Sequence, residues 1–199
     1  PNDLEYVWLQ LDQNKFTTES DGAAITGAVG GRFVGDLDGG YNLKSVSVNG
    51  TIANYIVTDT RMQIRLSDAI KAEGGKLNIR IDYDFKIPEY GADRMCRIKQ
   101  SQGWVYEIAQ WYPRMAVYDD VSGWNNQPYL GSGEFYLDYG TVDYKITVPY
   151  DQIVVGSGEL MNIDEVFPKE IAKRYRQAME SDKTFTIIGL KDVGNTKLT

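Results

Sequence analysis

The chain is predicted to be mainly β: a saddle-like β-sandwich of about nine or ten short, mostly antiparallel strands with one helix in its C-terminal half. Three observations lead there. Leu77, Ile79, Ile81, Tyr83, Phe85 and Ile87 alternate strictly with Asn78, Arg80, Asp82, Asp84 and Lys86, which is the period of a strand with one wet face. Asn49-Gly50 stands between two β-rich runs and supplies the two positive-φ residues of a tight hairpin turn. Helical spacing of apolar residues is convincing in one place only, where Phe167, Ile171, Tyr175, Ala178 and Met179 form a stripe over about Pro168 to Glu180, with proline suited to the first turn.

The remaining elements follow in order. Leu4 to Leu11 reads as a strand with Val7, Leu9 and Leu11 on one face. Residues 12 to 40 are polar and glycine-rich and read as a long loop. Its Gly30-Gly31 lacks the strand–GxGxxG–helix setting of a phosphate loop. Asp36 and Asp38 lack full calcium-ligand spacing and fit an ordinary turn. Leu43–Val48 and Thr51–Val57 are the hairpin arms, and Met62, Ile64 and Leu66 mark another strand. Ser67 to Gly75 reads as a helical turn or loop, and Pro88 ends the Leu77–Ile87 strand. Residues 89 to 102 read as a polar connection. Further strands are expected at Trp104–Trp111, Glu134–Tyr139, Val142–Val148, Ile153–Leu160 and Thr184–Leu190.

With 199 residues, the chain is read as a single β-sandwich domain over 1–199. Hydrophobic residues make up 42% and charged residues 25%, ordinary values for a globular protein. The net charge is −7, with no basic stripe, so no nucleic-acid partner is expected. No apolar run has the length of a membrane span. One cysteine, Cys96, offers no internal disulfide and no metal-ligand spacing. There is no histidine, which removes Ser-His-Asp and Cys-His catalysis and any His-containing zinc site.

The densest aromatic stretch runs from Gln110 to Tyr139 and contains Trp111, Tyr112, Tyr118, Trp124, Tyr129, Phe135, Tyr136 and Tyr139. So much ring area in an irregular segment has to pack on something, either the domain's own core or a neighbour. Its Asp119-Asp120 pair has the composition of a carboxylate dyad, but acids in such a setting more often cap turns. Trp104, Trp111 and Trp124 fit a carbohydrate-stacking platform or, more commonly for such rings, buried packing. The residues alone therefore describe a β domain without a complete catalytic set.

The run YEIAQWYPRMAVYDDVSGWNNQPYLGSGEFYLDYGTVDYKITVP, followed by Ile153-Val-Val-Gly-Ser-Gly-Glu-Leu160, resembles the N-terminal domain of aminopeptidase N-type zinc metallopeptidases (gluzincins), closest to a bacterial branch. VWLQLDQN near the start and DTRMQIRL in the middle are similar to the same domain. The resemblance implies a saddle-shaped β-sandwich packed on a thermolysin-like catalytic domain of the same chain. That domain would carry the Gly-x-Met-x-Asn and H-E-x-x-H…E motifs and the zinc, none of which is present here; the cofactor of this piece is none, and alone it would be inactive. It implies a fragment that begins late and stops before the catalytic domain, and export to the periplasm or medium. It also implies that Gln110, in Ala109-Gln110-Trp111-Tyr112-Pro113, matches a glutamine that helps hold the free amino group of a peptide substrate. Ala109 stands where the family commonly has Thr. Glu107 is a fallback at the same strand end, and Tyr112 would line the specificity pocket. The alternative function is a stand-alone module that binds carbohydrate or protein through the 110–139 stretch.

Overall fold

The computed structural model describes residues 2–26, 39–89, 95–130 and 136–192. Within them the chain is mainly β, with eleven short strands and few helices, and every strand pair is antiparallel. It divides into two compact units, Pro1–Tyr139 and Gly140–Thr199.

The first unit is built on two sheets. Strand β1 (Leu4–Gln10) lies between β5 (Arg61–Ile70) and the two-residue β9 (Arg114–Met115), and β4 (Asn54–Thr58) adds to the far side of β5. The second sheet runs β3 (Thr51–Ile52), β2 (Asn42–Val48), β6 (Ile79–Asp84). The alternation along β1 and β5 aligns when they pair, Val7 opposite Ile64 and Leu9 opposite Met62. These four, with Leu11, bury against Val46 of β2, and Leu43, Ile79 and Ile81 close the other side. Two inner faces thus share one core, as in a sandwich.

The Asn49-Gly50 turn forms as expected, with φ of +49° and +83°, the signature of a type I′ hairpin. Its second arm is broken at Ala53, whose N–H still bonds Val46. Residues 51–52 pair with β2, whereas 54–58 pair with β5, so the chain changes sheets at this alanine. Strand β7 (Met95–Gln100) and β8 (Gly103–Ile108) make a separate hairpin, and β10 (Tyr118–Asp119) and β11 (Gly123–Trp124) a smaller one. Phe16 and Met95 form a second buried cluster with Phe85, Ile87 and Trp111 around them.

Several expectations are corrected. The loop over 12–40 contains a 3₁₀ turn at Asp12–Phe16 and helix α1 at Asp21–Thr26. Its Gly30-Gly31, Asp36 and Asp38 lie outside the described residues. Ser67–Ile70 continues β5, because the ladder to β1 reaches Leu4 opposite Ile70 across a bulge. The polar connection over 89–102 holds β7, whose alternation is masked by Arg97, Lys99 and Gln100. The 77–87 strand shortens to β6, and the 104–111 strand ends at Ile108.

The second unit centres on helix α3 (Lys169–Met179), preceded by the short α2 (Ile163–Val166). The helix lies where its stripe placed it. Phe167, Ile171 and Ala172 are buried with Leu160, Tyr175, Ile187 and Ile188 packed on them, although Met179 at the end of the stripe is exposed. The strands expected at Val142–Val148, Ile153–Leu160 and Thr184–Leu190 do not form among the described residues. Tyr136–Tyr139 is likewise not a strand, and Glu134 and Phe135 lie outside the described residues. Alternation supplies propensity, but a strand exists only when a neighbour completes its ladder.

Arg174 donates to both carboxylate oxygens of Asp192, at 2.8 and 2.9 Å. Those bonds, with one from the Gly189 N–H, hold the Asp192 carboxyl far below its ordinary range. A depressed carboxyl adds stability that is present above the unfolded value and is lost as pH falls. Acid titration of this unit's stability, followed by helical circular dichroism, is therefore expected to show a drop beginning at about pH 4. Asp192→Asn should remove that part of the drop.

Candidate functional site

Gln110 follows β8 with φ of +52°, a left-handed conformation that costs a residue with a Cβ about 1–2 kcal/mol. The surroundings hold it there. Its carbonyl accepts a 2.8 Å bond from Gln13 Nε2 and a 3.2 Å bond from the Tyr41 hydroxyl. Gln13 also reaches the Ala109 carbonyl at 3.3 Å, and the Tyr83 hydroxyl donates to the Trp111 carbonyl at 3.0 Å. Three successive carbonyls are thus fixed by side chains from other elements. Gln13 is itself buried, and the Tyr41 ring is set edge-on against Tyr83 and Phe85, at 5.1 and 5.8 Å between centroids.

Beneath this node lies a buried ion pair. Arg114 donates through Nε and Nη2 to Asp12 Oδ2, at 2.8 and 2.5 Å. Asp12 is 1% exposed and Arg114 8%. Burial pushes the Asp12 carboxyl up from its ordinary value, and the Arg114 guanidinium pulls against it without cancelling the rise. The Tyr41 phenol is raised well above its usual value, by burial first and then by the Asp12 charge; it is a donor here.

The three residues singled out in the sequence fare differently. The Gln110 side chain is half-buried, with Nε2 enclosed and without a hydrogen-bond partner. Glu107 is exposed on β8, opposite Cys96 of β7. Tyr112 is 36% exposed, its ring edge-on to Trp111 at 4.9 Å. The residues that fix Gln110, namely Gln13 and Tyr41, were not legible. They lie in and just after a stretch without periodicity, and the only cue was the polar run Asp12-Gln13-Asn14 directly after a strand.

Asp119 takes the turn role. Its Oδ1 accepts the Val121 and Ser122 N–H groups at 3.0 and 2.7 Å, and its Oδ2 accepts Asn125 Nδ2 at 2.8 Å. These bonds, the one from Ser122 foremost, lower its carboxyl below the ordinary value. The tryptophans occupy three settings. Trp104 lies under Arg97 and Lys99, 5.1 and 5.9 Å from its centroid. Trp111 packs on the Phe16–Met95 cluster and Trp124 on the main core.

Among the described residues, no three His, Cys, Asp or Glu side chains come together where they could hold a metal ion. No helix among them is long and apolar enough to cross a membrane. Comparisons with family models, with curated proteins and with solved structures gave no match.

Proposed function

We propose that the chain is the non-catalytic N-terminal domain of a zinc-dependent aminopeptidase, shaping the active-site cleft and anchoring the free amino group of the substrate through Gln110. The observation that carries this reading is the treatment of Gln110: a left-handed backbone held by Gln13 and Tyr41. Backbone strain of this kind persists only where surrounding structure over-determines it, and it concentrates at functional positions. The enclosed Nε2 leaves the amide oxygen as the end that would accept from an ammonium group. The same aromatic stretch bares Tyr112, Met115, Tyr118 and Val121 at 36, 45, 49 and 90% exposure, apolar surface suited to a neighbouring domain. With no histidine, this chain cannot supply the two His ligands of the family's zinc site. Its own residues bind and orient, and the metal chemistry belongs to the catalytic domain.

The test uses the longer protein that this reading requires. Aminoacyl-anilide hydrolysis should be abolished by a zinc chelator. Gln110→Ala should raise KM or lower kcat/KM by about tenfold, the loss of one hydrogen bond to a charged group. Chelator-sensitive activity untouched by the substitution would remove the anchor role. Absence of hydrolysis would remove the peptidase reading.

A further inference from the structure

Among the described residues, three non-glycine positions have a positive φ: Asn49, Asp59 and Gln110. Asparagine and aspartate visit the left-handed region readily, because a short polar side chain bonds the local backbone. Glutamine has no such allowance, and glycine would sit at position 110 without steric cost. The chain keeps a long amide side chain there and holds its backbone from outside instead.

The hold is specific. Gln13 is 2% exposed, and its Nε2 donates to two successive carbonyls, Gln110 at 2.8 Å and Ala109 at 3.3 Å. The Tyr41 hydroxyl donates to the Gln110 carbonyl as well, at 3.2 Å, so both lone pairs of that oxygen are taken. Tyr41 is tied in turn. Its N–H donates to Asn14 Oδ1 at 2.9 Å, and its ring stands edge-on to Tyr83. Burial raises its phenol, so it remains a donor at neutral pH. Asp12, next to Gln13, takes the far end of the same segment through Arg114. Two consecutive residues of one 3₁₀ turn, Asp12–Phe16, thus grip residues 109–114 at both ends. The bonds from Gln13 and Tyr41 all go to main-chain oxygens. None uses the Gln110 amide, whose Nε2 has no partner.

We propose that Gln13 and Tyr41 are positioning residues: on the reading of Gln110 as the amino-group anchor, they fix its backbone so that its amide is presented in one orientation. A clamp serving the fold alone would work as well on glycine and with less strain. What the strain retains is the side chain. Pre-organisation of this kind reduces the freedom lost when a substrate binds, so its removal reads in KM more than in kcat.

The test places Gln13→Met and Tyr41→Phe in the longer protein that this reading requires; both remove a donor at nearly constant volume. Each should lower kcat/KM for aminoacyl-anilides by about 3–10-fold, the loss of one neutral hydrogen bond, chiefly through KM. Neither should lower it further in a Gln110→Ala background, because a positioning residue acts only through the group it positions. In the chain itself, the Gln110 Cα and Cβ chemical shifts, which follow φ and ψ, should move in both variants. Tyr41→Phe deletes a single oxygen and carries the test where Gln13→Met does not fold. Equal losses with and without the Gln110 side chain would make both residues structural and overturn the proposal. Unmoved shifts overturn it too, as does full activity of both variants beside an impaired Gln110→Ala. Full activity of Gln110→Ala itself would remove the anchor reading, and the positioning role with it.

Discussion

Replacing Arg114 by Met while Asp12 stays in place is expected to lower stability by about 3–5 kcal/mol, because a buried carboxylate is left without its counter-charge. Asp12 is 1% exposed and its Oδ1 is enclosed without a partner, so Oδ2 carries the interaction with Arg114. The double change Asp12→Leu with Arg114→Met should recover much of the loss, since apolar residues of similar volume do not carry the desolvation cost of two ions. The pH dependence has a definite sign. Burial already raises the Asp12 carboxyl, and Arg114 is the group that restrains it. Without Arg114 the folded carboxyl rises further while the unfolded value is unchanged. The folded state then holds a proton that the unfolded state has released, and stability falls as pH rises through that window. The deficit of Arg114→Met should therefore be larger near neutral pH than at about pH 5. Urea midpoints of the parent, Arg114→Met and the double variant at both pH values measure it. A deficit independent of pH would mean that Asp12 stays charged, and one restricted to acid would reverse the assignment of the stressed group.

The strands that were legible in the sequence are those whose partners were legible too. Val7, Leu9, Met62 and Ile64 alternate in register with one another, so each run predicted a face and the pairing confirmed it. Asn49-Gly50 announced its turn through backbone chemistry alone. The 142–148 run has equally regular alternation and forms no strand, because period two describes a side-chain pattern and is silent about whether a neighbour exists. Strand β7 failed in the opposite direction. Its exposed Lys99 and Gln100 made it read as a connection, while Met95, at 1% exposure, was the buried residue that anchored it. At the candidate site, Gln110 was reached through resemblance and not through pattern. Its left-handed backbone and its clamp by Gln13 and Tyr41 depend on contacts across 97 and 69 residues, which no local window contains. The Asp12–Arg114 pair spans 102 residues and was hidden for the same reason.

Ile64→Ala is the second large effect, expected at about 2–5 kcal/mol. Ile64 is fully buried on the middle of β5, flanked by Val7 across one ladder and Tyr55 across the other. Strand β5 itself is held by backbone ladders on both sides, to β1 and to β4, so the core cannot close around the missing atoms and a cavity remains. The informative control is Ile56→Ala on the neighbouring β4. It is the same chemical change on a residue that is 47% exposed and pairs with Gln63, and it should stay within about 0.5 kcal/mol of the parent. The contrast isolates burial from β propensity, because both substitutions replace a β-branched residue in an antiparallel ladder. Equal losses at the two positions would place the stabilising contribution in strand propensity. A large loss at Ile64 alone, with an unchanged denaturant slope, would assign it to the core shared by the two sheets.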